Sequence, residues 1–207
     1  MRPLATALIW AAATAAGAGE PEPQRPVMRE LPRSAAFDAP PSQRDMAAAR
    51  PEFQRRFHEP LARATTAAGA NRAVETLLDA ALVEENRALK WLMLTEARRL
   101  AAATGNALAV NQAVVLASAS YDFDDVEAEL KALAEIPLRA LDPSRATALA
   151  EVAERLATRA ETDRRLADAV AAQTIAVRAW QRAGNLAAAA NAAARHDAFE
   201  AARGRKR

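Results

Sequence analysis

Alanine is the feature that most constrains the fold of this chain. It occupies 59 of the 207 positions, while aromatic residues make up only 4% and glycine occurs six times. Alanine has the highest helix propensity of all residues, whereas strands favour β-branched and aromatic side chains. A β-sandwich or β-barrel is therefore excluded, and the composition predicts an all-α protein.

Composition also excludes several functional classes. The chain has no cysteine, so it has no disulfide framework, no thiolate zinc site and no cysteine nucleophile. Lys plus Arg is 28 and Asp plus Glu is 26, which leaves a net charge of only +2. Such a balance produces no overall field for nucleic acid. Charge is uneven, however: residues 101–150 have 3 basic and 7 acidic side chains (net −4), and residues 151–207 have 11 and 7 (net +4).

The N-terminus has the three parts of a secretory signal peptide. Basic Met1-Arg2 precedes an uncharged apolar run over residues 4–16, which ends in the small residues Ala16-Gly17-Ala18. A run of about 13 residues is too short to cross a bilayer, which takes about 20. We expect cleavage near Ala18 and export to the periplasm or the extracellular space. The alternative is an alanine-rich N-terminal helix that is never cleaved.

Proline then divides the chain. Eight of the 11 prolines lie at or before Pro51, and residues 20–50 show no sustained helical period. This pattern is typical of a disordered or extended linker, which we assign to residues 19–50. The helical domain is predicted over 51–203, followed by a basic tail at 204–207. Pro60 should kink or end the first helix.

Helix corners recur at regular intervals. Gly105-Asn106 and Gly184-Asn185 each combine a left-handed C-cap with an N-cap for the next helix. With Thr66 and Pro143, the corners are spaced by about 38–41 residues, the length of one helical hairpin. The pattern predicts antiparallel hairpins stacked as a short, tetratricopeptide-like α-solenoid of seven to eight helices. The predicted helices are 47–64, 67–84, 87–104, 106–120, 124–136, 144–160, 163–183 and 185–203.

The third predicted helix is apolar on two sides, which is typical of a helix buried between neighbours. We therefore place Trp91, Leu92, Leu94 and Leu100 in the central packed layer, not in a ligand groove. Trp180 is likewise assigned to the core.

Residues 52–119 resemble a helical region found in exported, uncharacterised proteins of planctomycete bacteria. The resemblance lies in Glu52-Phe53, Phe57, the segments 76–81 and 90–101, Thr104-Gly105-Asn106 and the aromatic-acidic turn Tyr121–Asp124. This chain departs from that pattern at Asn86-Arg87, where the family has Asp-Pro, at Trp91, where it has Tyr, and at Asn106, where it has Asp. The resemblance implies export and an all-α repeat, and it implies no catalytic residues.

Few side chains suggest chemistry. The densest acidic cluster either supplies oxygen ligands to a cation or caps a helix with an acidic first turn; its spacing does not fit an EF-hand loop, and capping is the preferred interpretation. The isolated histidines are expected to be ordinary surface or interface residues, and the two polar residues in the seventh helix either form an inter-helix hydrogen bond or face a groove. The acidic cluster consists of Asp122, Asp124, Asp125, Glu127 and Glu129. The histidines are His58 and His196, and the polar residues of the seventh helix are Gln173 and Thr174.

No catalytic motif occurs: the sequence lacks Gly-x-Ser-x-Gly, a phosphate-binding glycine loop and His-Glu-x-x-His. We therefore predict no enzyme activity, cofactor or metal. The expected function is that of an exported, non-catalytic helical-repeat protein that binds another protein or an envelope component, or acts as a scaffold. The alternative is electrostatic binding of an acidic polymer or anionic membrane through the basic C-terminal third, with the contact residues Arg203, Arg205, Lys206 and Arg207.

Overall fold

The computed structural model describes residues 39–205. The predicted signal peptide at 1–18 lies outside the described residues, as do residues 19–38 of the predicted linker and Lys206 and Arg207 of the tail. Within the described range no helix has the length and apolar character needed to cross a membrane.

The described chain is all-helical, as predicted. Its eight α-helices are α1 (Gln43–Ala62), α2 (Ala67–Val83), α3 (Arg87–Thr104), α4 (Ala107–Ser118), α5 (Asp125–Ala134), α6 (Pro143–Thr162), α7 (Leu166–Ala183) and α8 (Leu186–Gly204). A short 3₁₀ turn over Leu138–Ala140 lies between α5 and α6, and short corners separate the other helices.

The helices pack in two layers. Each helix contacts the next one along the chain, and the odd-numbered helices α1, α3, α5 and α7 also contact one another in succession. In the other layer α2 contacts α4 and α4 contacts α6, while the Arg195 guanidinium of α8 donates to the Thr158 hydroxyl of α6 (3.0 Å). This succession confirms the predicted solenoid-like arrangement of helical hairpins.

The first helix begins earlier than the sequence predicts. It starts at Gln43, so residues 43–50 are helical and their assignment to the linker is wrong. A capping box explains the difference: the Ser42 hydroxyl accepts from the Asp45 amide (3.2 Å), and the Asp45 carboxylate accepts from the Ser42 amide (3.2 Å). The helix also continues through Pro51 and past Pro60, ending at Ala62.

The two glycine corners have the predicted geometry. Gly105 and Gly184 have φ angles of 74° and 79°, in the left-handed region, and each ends a helix. The side chains of Asn106 and Asn185 then accept hydrogen bonds from the first turns of α4 and α8. The corner between α6 and α7 uses Arg164 instead, with a φ of 60°, and α7 begins at Leu166, not at 163 as predicted.

Alanine sets the contact between α6 and α7. Both helices place alanines at alternating intervals of three and four residues along the facing side, and all of these side chains are fully buried. This spacing lines one face of a helix, and the small side chain lets the two backbones approach closely. The residues are Ala146, Ala150, Ala153, Ala157 and Ala160 on α6, and Ala169, Ala172, Ala176 and Ala179 on α7.

The predicted core of α3 is partly confirmed. Leu94 and Leu100 are buried, whereas Trp91 and Leu92 are half-buried and pack against the core from its edge. Trp91 makes edge-on contacts with Tyr121 (4.9 Å between ring centroids) and Phe123. Trp180 is buried, as predicted.

Tyr121 anchors the loop between α4 and α5. Its hydroxyl donates to the Arg87 carbonyl at the start of α3 (2.6 Å), and the ring is buried. Burial disfavours the phenolate and raises the pKa of Tyr121 to about 12.

The two glycine corners provide a matched pair of substitutions. We expect Gly184→Ala to cost about 1 kcal/mol, because alanine is strained at this left-handed φ and its Cβ meets open space. Gly105→Ala should cost about 1–3 kcal/mol more, because its Cβ would overlap the Leu141 side chain. Denaturant unfolding of both variants tests this prediction. Equal losses in the free energy of unfolding would show that the Leu141 side chain can move aside without cost.

The α6–α7 contact predicts sensitivity to larger side chains. Ala176→Leu should destabilise the protein by about 1–3 kcal/mol or more, because the close approach of the helices leaves no room for an isobutyl group. Ala167→Leu is the control on the same helix, because Ala167 is exposed; it should change the free energy of unfolding by less than about 0.5 kcal/mol. Equal effects in thermal unfolding would contradict the alanine contact.

Candidate functional site

The acidic cluster of the α4–α5 turn serves the fold. The Asp124 side chain caps α5 by accepting from the Glu127 amide (2.8 Å), which confirms the capping interpretation. Asp124 also accepts from the Arg165 guanidinium (2.5 Å), and this hydrogen bond lowers the pKa of its carboxyl group. Arg165 bonds to Asp168 as well (2.6 Å), so it ties the α6–α7 corner to the start of α5.

Glu129 belongs to the same acidic cluster, but its side chain is buried. Its burial is not expected from the sequence, where it lies among other charged residues. It is 1% exposed and accepts from the Arg159 guanidinium (2.6 Å) and from the Asn111 amide (2.8 Å). These bonds join α4, α5 and α6. The sequence contains one signal of this burial, because Glu129 is spaced to share one face of α5 with the apolar residues Val126 and Leu133.

The structure gathers no metal site within residues 39–205: no group of three or more His, Asp or Glu side chains there could hold an ion. His58 is exposed. His196 is half-buried, with Nδ1 3.2 Å from the carboxylate of its neighbour Asp197. The two histidines thus contribute no shared site in this part of the chain.

The two polar residues of α7 have different environments. The Thr174 hydroxyl donates to the Val170 carbonyl within its own helix (2.9 Å). Gln173 is fully buried, and neither its amide nitrogen nor its amide oxygen has a hydrogen-bond partner. Both predictions for Gln173, an inter-helix hydrogen bond and a position facing a groove, are therefore wrong.

The predicted basic contact residues lie at the end of α8. Arg203 is in the last turn and pairs with Glu200 on the same helix (3.3 Å). Arg205 follows the helix and is exposed, while Lys206 and Arg207 lie outside the described residues. The structure therefore shows one ion pair at this end of the helix and gathers no cluster of described arginines around it.

A groove of about 620 Å³ lies where α1, α3 and the 3₁₀ turn end and α2 and α6 begin. Two of its lining residues are arginines. Arg99 pairs with Glu96 on the same helix (2.6 Å), and Arg145 lies near Asp142 (3.5 Å) and donates to the Thr104 carbonyl (3.2 Å). Because each guanidinium already faces a carboxylate, the groove offers little charge to a ligand.

A smaller groove of about 380 Å³ lies between α6 and α8. Its charged lining residues include Glu154 and Arg195. Glu154 accepts from the Trp180 indole N–H (3.0 Å), and Arg195 donates to Thr158. These bonds join α6 to α7 and α8, so the polar groups of this groove also hold the helices together.

The clearest unpartnered surface lies on α2 and α4. Residues 39–205 contain five large hydrophobic side chains that are exposed, and four of them lie on these two neighbouring helices. We call them the α2–α4 surface: Leu82 (57% exposed), Val83 (80%), Leu108 (55%) and Val115 (42%). Leu82 and Val83 end α2, Leu108 lies in the first turn of α4 and Val115 in its last turn. Exposed apolar area on neighbouring helices is a candidate for an interaction site.

Sequence reasoning missed the α2–α4 surface, although one signal was available. The α4 segment Ala107–Ser118 contains no charged residue and few polar ones, so its exposed side cannot be strongly polar. The structure buries Val110 and Val114 but leaves Leu108 and Val115 exposed.

Carboxylates accompany the exposed hydrophobic side chains. Glu75 and Asp79 lie on the exposed side of α2, and Glu85 follows its C-terminus. Within residues 39–205 no ion pair involves any of these three. The exposed side of α2 therefore carries both charge signs, because the exposed Arg72 lies on the same side as Glu75 and Asp79.

Comparison with protein-family models, with curated proteins and with solved structures gives no match. The resemblance to exported planctomycete proteins stays a prediction, and the function has to be argued from the surface itself.

The unpaired amide of Gln173 predicts a stabilising substitution. Gln173→Met should raise the free energy of unfolding by about 1 kcal/mol or more, because a side chain of similar size no longer leaves two buried polar atoms without partners. Denaturant unfolding measures the change.

Gln181→Met is the control, because Gln181 lies on the same helix and is exposed. It should shift the free energy of unfolding by less than about 0.5 kcal/mol. A loss of stability in Gln173→Met would show that the buried amide has a partner in solution, such as an internal water molecule.

Proposed function

We propose that this chain is an exported, non-catalytic helical-repeat protein that binds another protein or serves as a scaffold. The observation that carries the proposal is the α2–α4 surface, where four exposed hydrophobic side chains lie on two neighbouring helices. Stacked helical hairpins present extended surfaces of this kind, and the side chains on them determine the partner.

The polar groups of the fold support a structural role over a catalytic one. Asp124, Glu129, Arg159 and Arg165 form ion pairs that join α5 to α6 and to the α6–α7 corner. Reactive groups in active sites converge on a place that a substrate can reach. Here the charged groups instead neutralise one another between helices.

The electrostatic alternative uses the basic C-terminal third, where Arg159, Arg165 and Arg203 each have a carboxylate partner. Other exposed arginines of this third form no ion pair within residues 39–205: Arg155, Arg164, Arg178 and Arg205. Counterion release from a polyanion requires positive charges of this kind, so steeply salt-dependent binding of a polyanion by this third alone would favour the alternative over protein binding.

Site-specific photo-crosslinking tests the proposal. A photoreactive amino acid at position 115 or 82 of the full chain should yield an adduct of defined mass with a protein partner in envelope extract. The same amino acid at position 151, on the exposed face of α6, should yield little of it. Leu108→Asp should reduce the adduct at position 115 at least tenfold, because a charge there disfavours apolar burial.

Circular dichroism and thermal unfolding of Leu108→Asp serve as the folding control. The proposal is overturned if positions 82 and 115 give no adduct, or if position 151 gives the same adduct in equal yield.

A further inference from the structure

We propose that the layer of odd-numbered helices binds a linear polyanion through four arginines around the 3₁₀ turn. They are Arg98 on α3, Arg139 in the 3₁₀ turn, and Arg178 and Arg182 on α7, and we call them the arginine surface. This inference goes beyond the proposed function, because the α2–α4 surface belongs to the other layer of helices. It also differs from the electrostatic alternative, because it uses α3 and the 3₁₀ turn and does not use the C-terminal tail.

Contacts of Leu141 bring the ends of α3 and α7 together at the 3₁₀ turn. Gly105 ends α3, and a Cβ on it would overlap the Leu141 side chain. The Arg182 Nε of α7 donates to the Leu141 carbonyl (2.8 Å). Arg178 lies one turn before Arg182 on α7, and Arg139 lies two residues before Leu141, in the turn that contacts α7. Three of the four arginines therefore lie at one end of this layer.

Arg98 extends the surface to α3, where its side chain is half-buried. Partial burial lowers the pKa of Arg98, and the attraction of the Glu135 carboxylate opposes this shift. Glu135 ends α5 and lies four residues before Arg139, so Arg98 lies near the junction of α5 with the 3₁₀ turn. Because neighbouring helices pack about 8–10 Å apart, the arginine surface extends across about 20 Å from α3 to α7.

The positive charges of the arginine surface are not neutralised. None of its four arginines belongs to an ion pair within residues 39–205. Other carboxylates at this end of the molecule are already paired, since Glu96 binds Arg99 (2.6 Å) and Asp142 lies near Arg145 (3.5 Å). The four guanidinium groups are therefore free to pair with anions from outside the chain.

One carboxylate opposes the arginine surface. Glu135 is exposed and unpaired in the described part of the chain, so four positive charges face one negative charge and the local net charge is +3. Further along α5, the exposed Lys131 and Glu127 have opposite charges and offset each other. The positive potential is therefore strongest around the 3₁₀ turn, although the whole chain has a net charge of only +2.

The surroundings of the arginine surface favour a polymer over a protein partner. All five exposed large hydrophobic side chains of residues 39–205 lie on α2, α4 and α8, in the other layer. A protein interface usually has an apolar or aromatic centre, and its few strongest contacts lie there. A polyanion binds through the release of its counterions and needs no such centre.

The kind and spread of the side chains indicate the ligand. All four cations are arginines, whose planar guanidinium groups bind oxyanions such as phosphate through two parallel hydrogen bonds. A single phosphate cannot reach groups that are spread over about 20 Å, whereas a chain of phosphates can. The surface therefore suits a linear chain of phosphate-like groups, and it would let the protein hold such a polymer on one layer and a protein partner on the other.

Isothermal titration calorimetry of the full chain with inorganic polyphosphate is the test. Four neutralised charges should give a slope of about −3 for the logarithm of the binding constant against that of the salt concentration. Arg139→Gln/Arg178→Gln should weaken binding at least about tenfold and reduce the slope to about −1.5. Orthophosphate at the same total phosphate concentration should not compete.

Arg155→Gln/Arg164→Gln is the matched control. It removes the same charge from two exposed arginines that have no ion pair within residues 39–205, on α6 and at the α6–α7 corner. The dissociation constant should change less than about twofold, because salt screens these positions from the arginine surface.

Two single substitutions test the extent and the sign of the surface. Arg98→Gln should weaken binding about threefold or more, since the polymer loses its contact on α3. Glu135→Gln should instead tighten binding about threefold, because it removes the opposing carboxylate. A gain of affinity cannot result from misfolding, and circular dichroism and thermal unfolding check the folding of every variant.

The inference is overturned if polyphosphate does not bind, if its binding is insensitive to salt, if orthophosphate competes equally, or if the control pair loses as much affinity as Arg139→Gln/Arg178→Gln. An unchanged affinity in Arg98→Gln or in Glu135→Gln also overturns it. Loss of binding in Arg205→Gln/Lys206→Gln would assign the polyanion to the tail, and tighter binding of poly-L-glutamate than of polyphosphate would assign the surface to an acidic protein segment. Photo-crosslinking from position 115 should be unchanged in Arg139→Gln/Arg178→Gln, so the proposed function stands or fails separately.

Discussion

Close approach of helices through alanine is the interaction on which the C-terminal half of this fold depends. Between α6 and α7 the facing positions are alanines, all fully buried, so the contact gains its energy from backbone proximity and many small contacts. Large side chains would add apolar area but would separate the helices. Helices α2 and α3 bury larger side chains, among them Leu77, Leu89 and Met93.

Polar contacts fix the position of the α4–α5 turn and of the short helix α5, which apolar packing alone does not determine. The α4–α5 turn is held by Tyr121 bonding to the Arg87 carbonyl, and α5 is held by Glu129 and Arg159. Removing one partner of a buried ion pair is costly because the other charge stays buried. A few specific bonds thus position the short helix α5. Most of the charged side chains near α5 take part in these bonds.

The sequence predicts the architecture well because its determinants are local. Gly105, Gly184 and their following asparagines specify corners through backbone conformation and capping alone. What sequence reasoning missed depends on tertiary contacts. The left-handed Arg164 has no glycine signal, Gln173 is buried without a partner, and the exposure of Leu108 and Val115 is decided by which face of α4 its neighbours cover.

Tyr121 has a consequence for how this protein can be observed. It is the only tyrosine of the chain, and it sits where α3 meets the α4–α5 turn. Because its pKa is raised by burial, the folded chain keeps the phenol neutral at pH values where an exposed tyrosine ionises at a pKa of about 10. The ultraviolet absorbance of phenolate is therefore an intrinsic, label-free reporter of whether this one junction is closed.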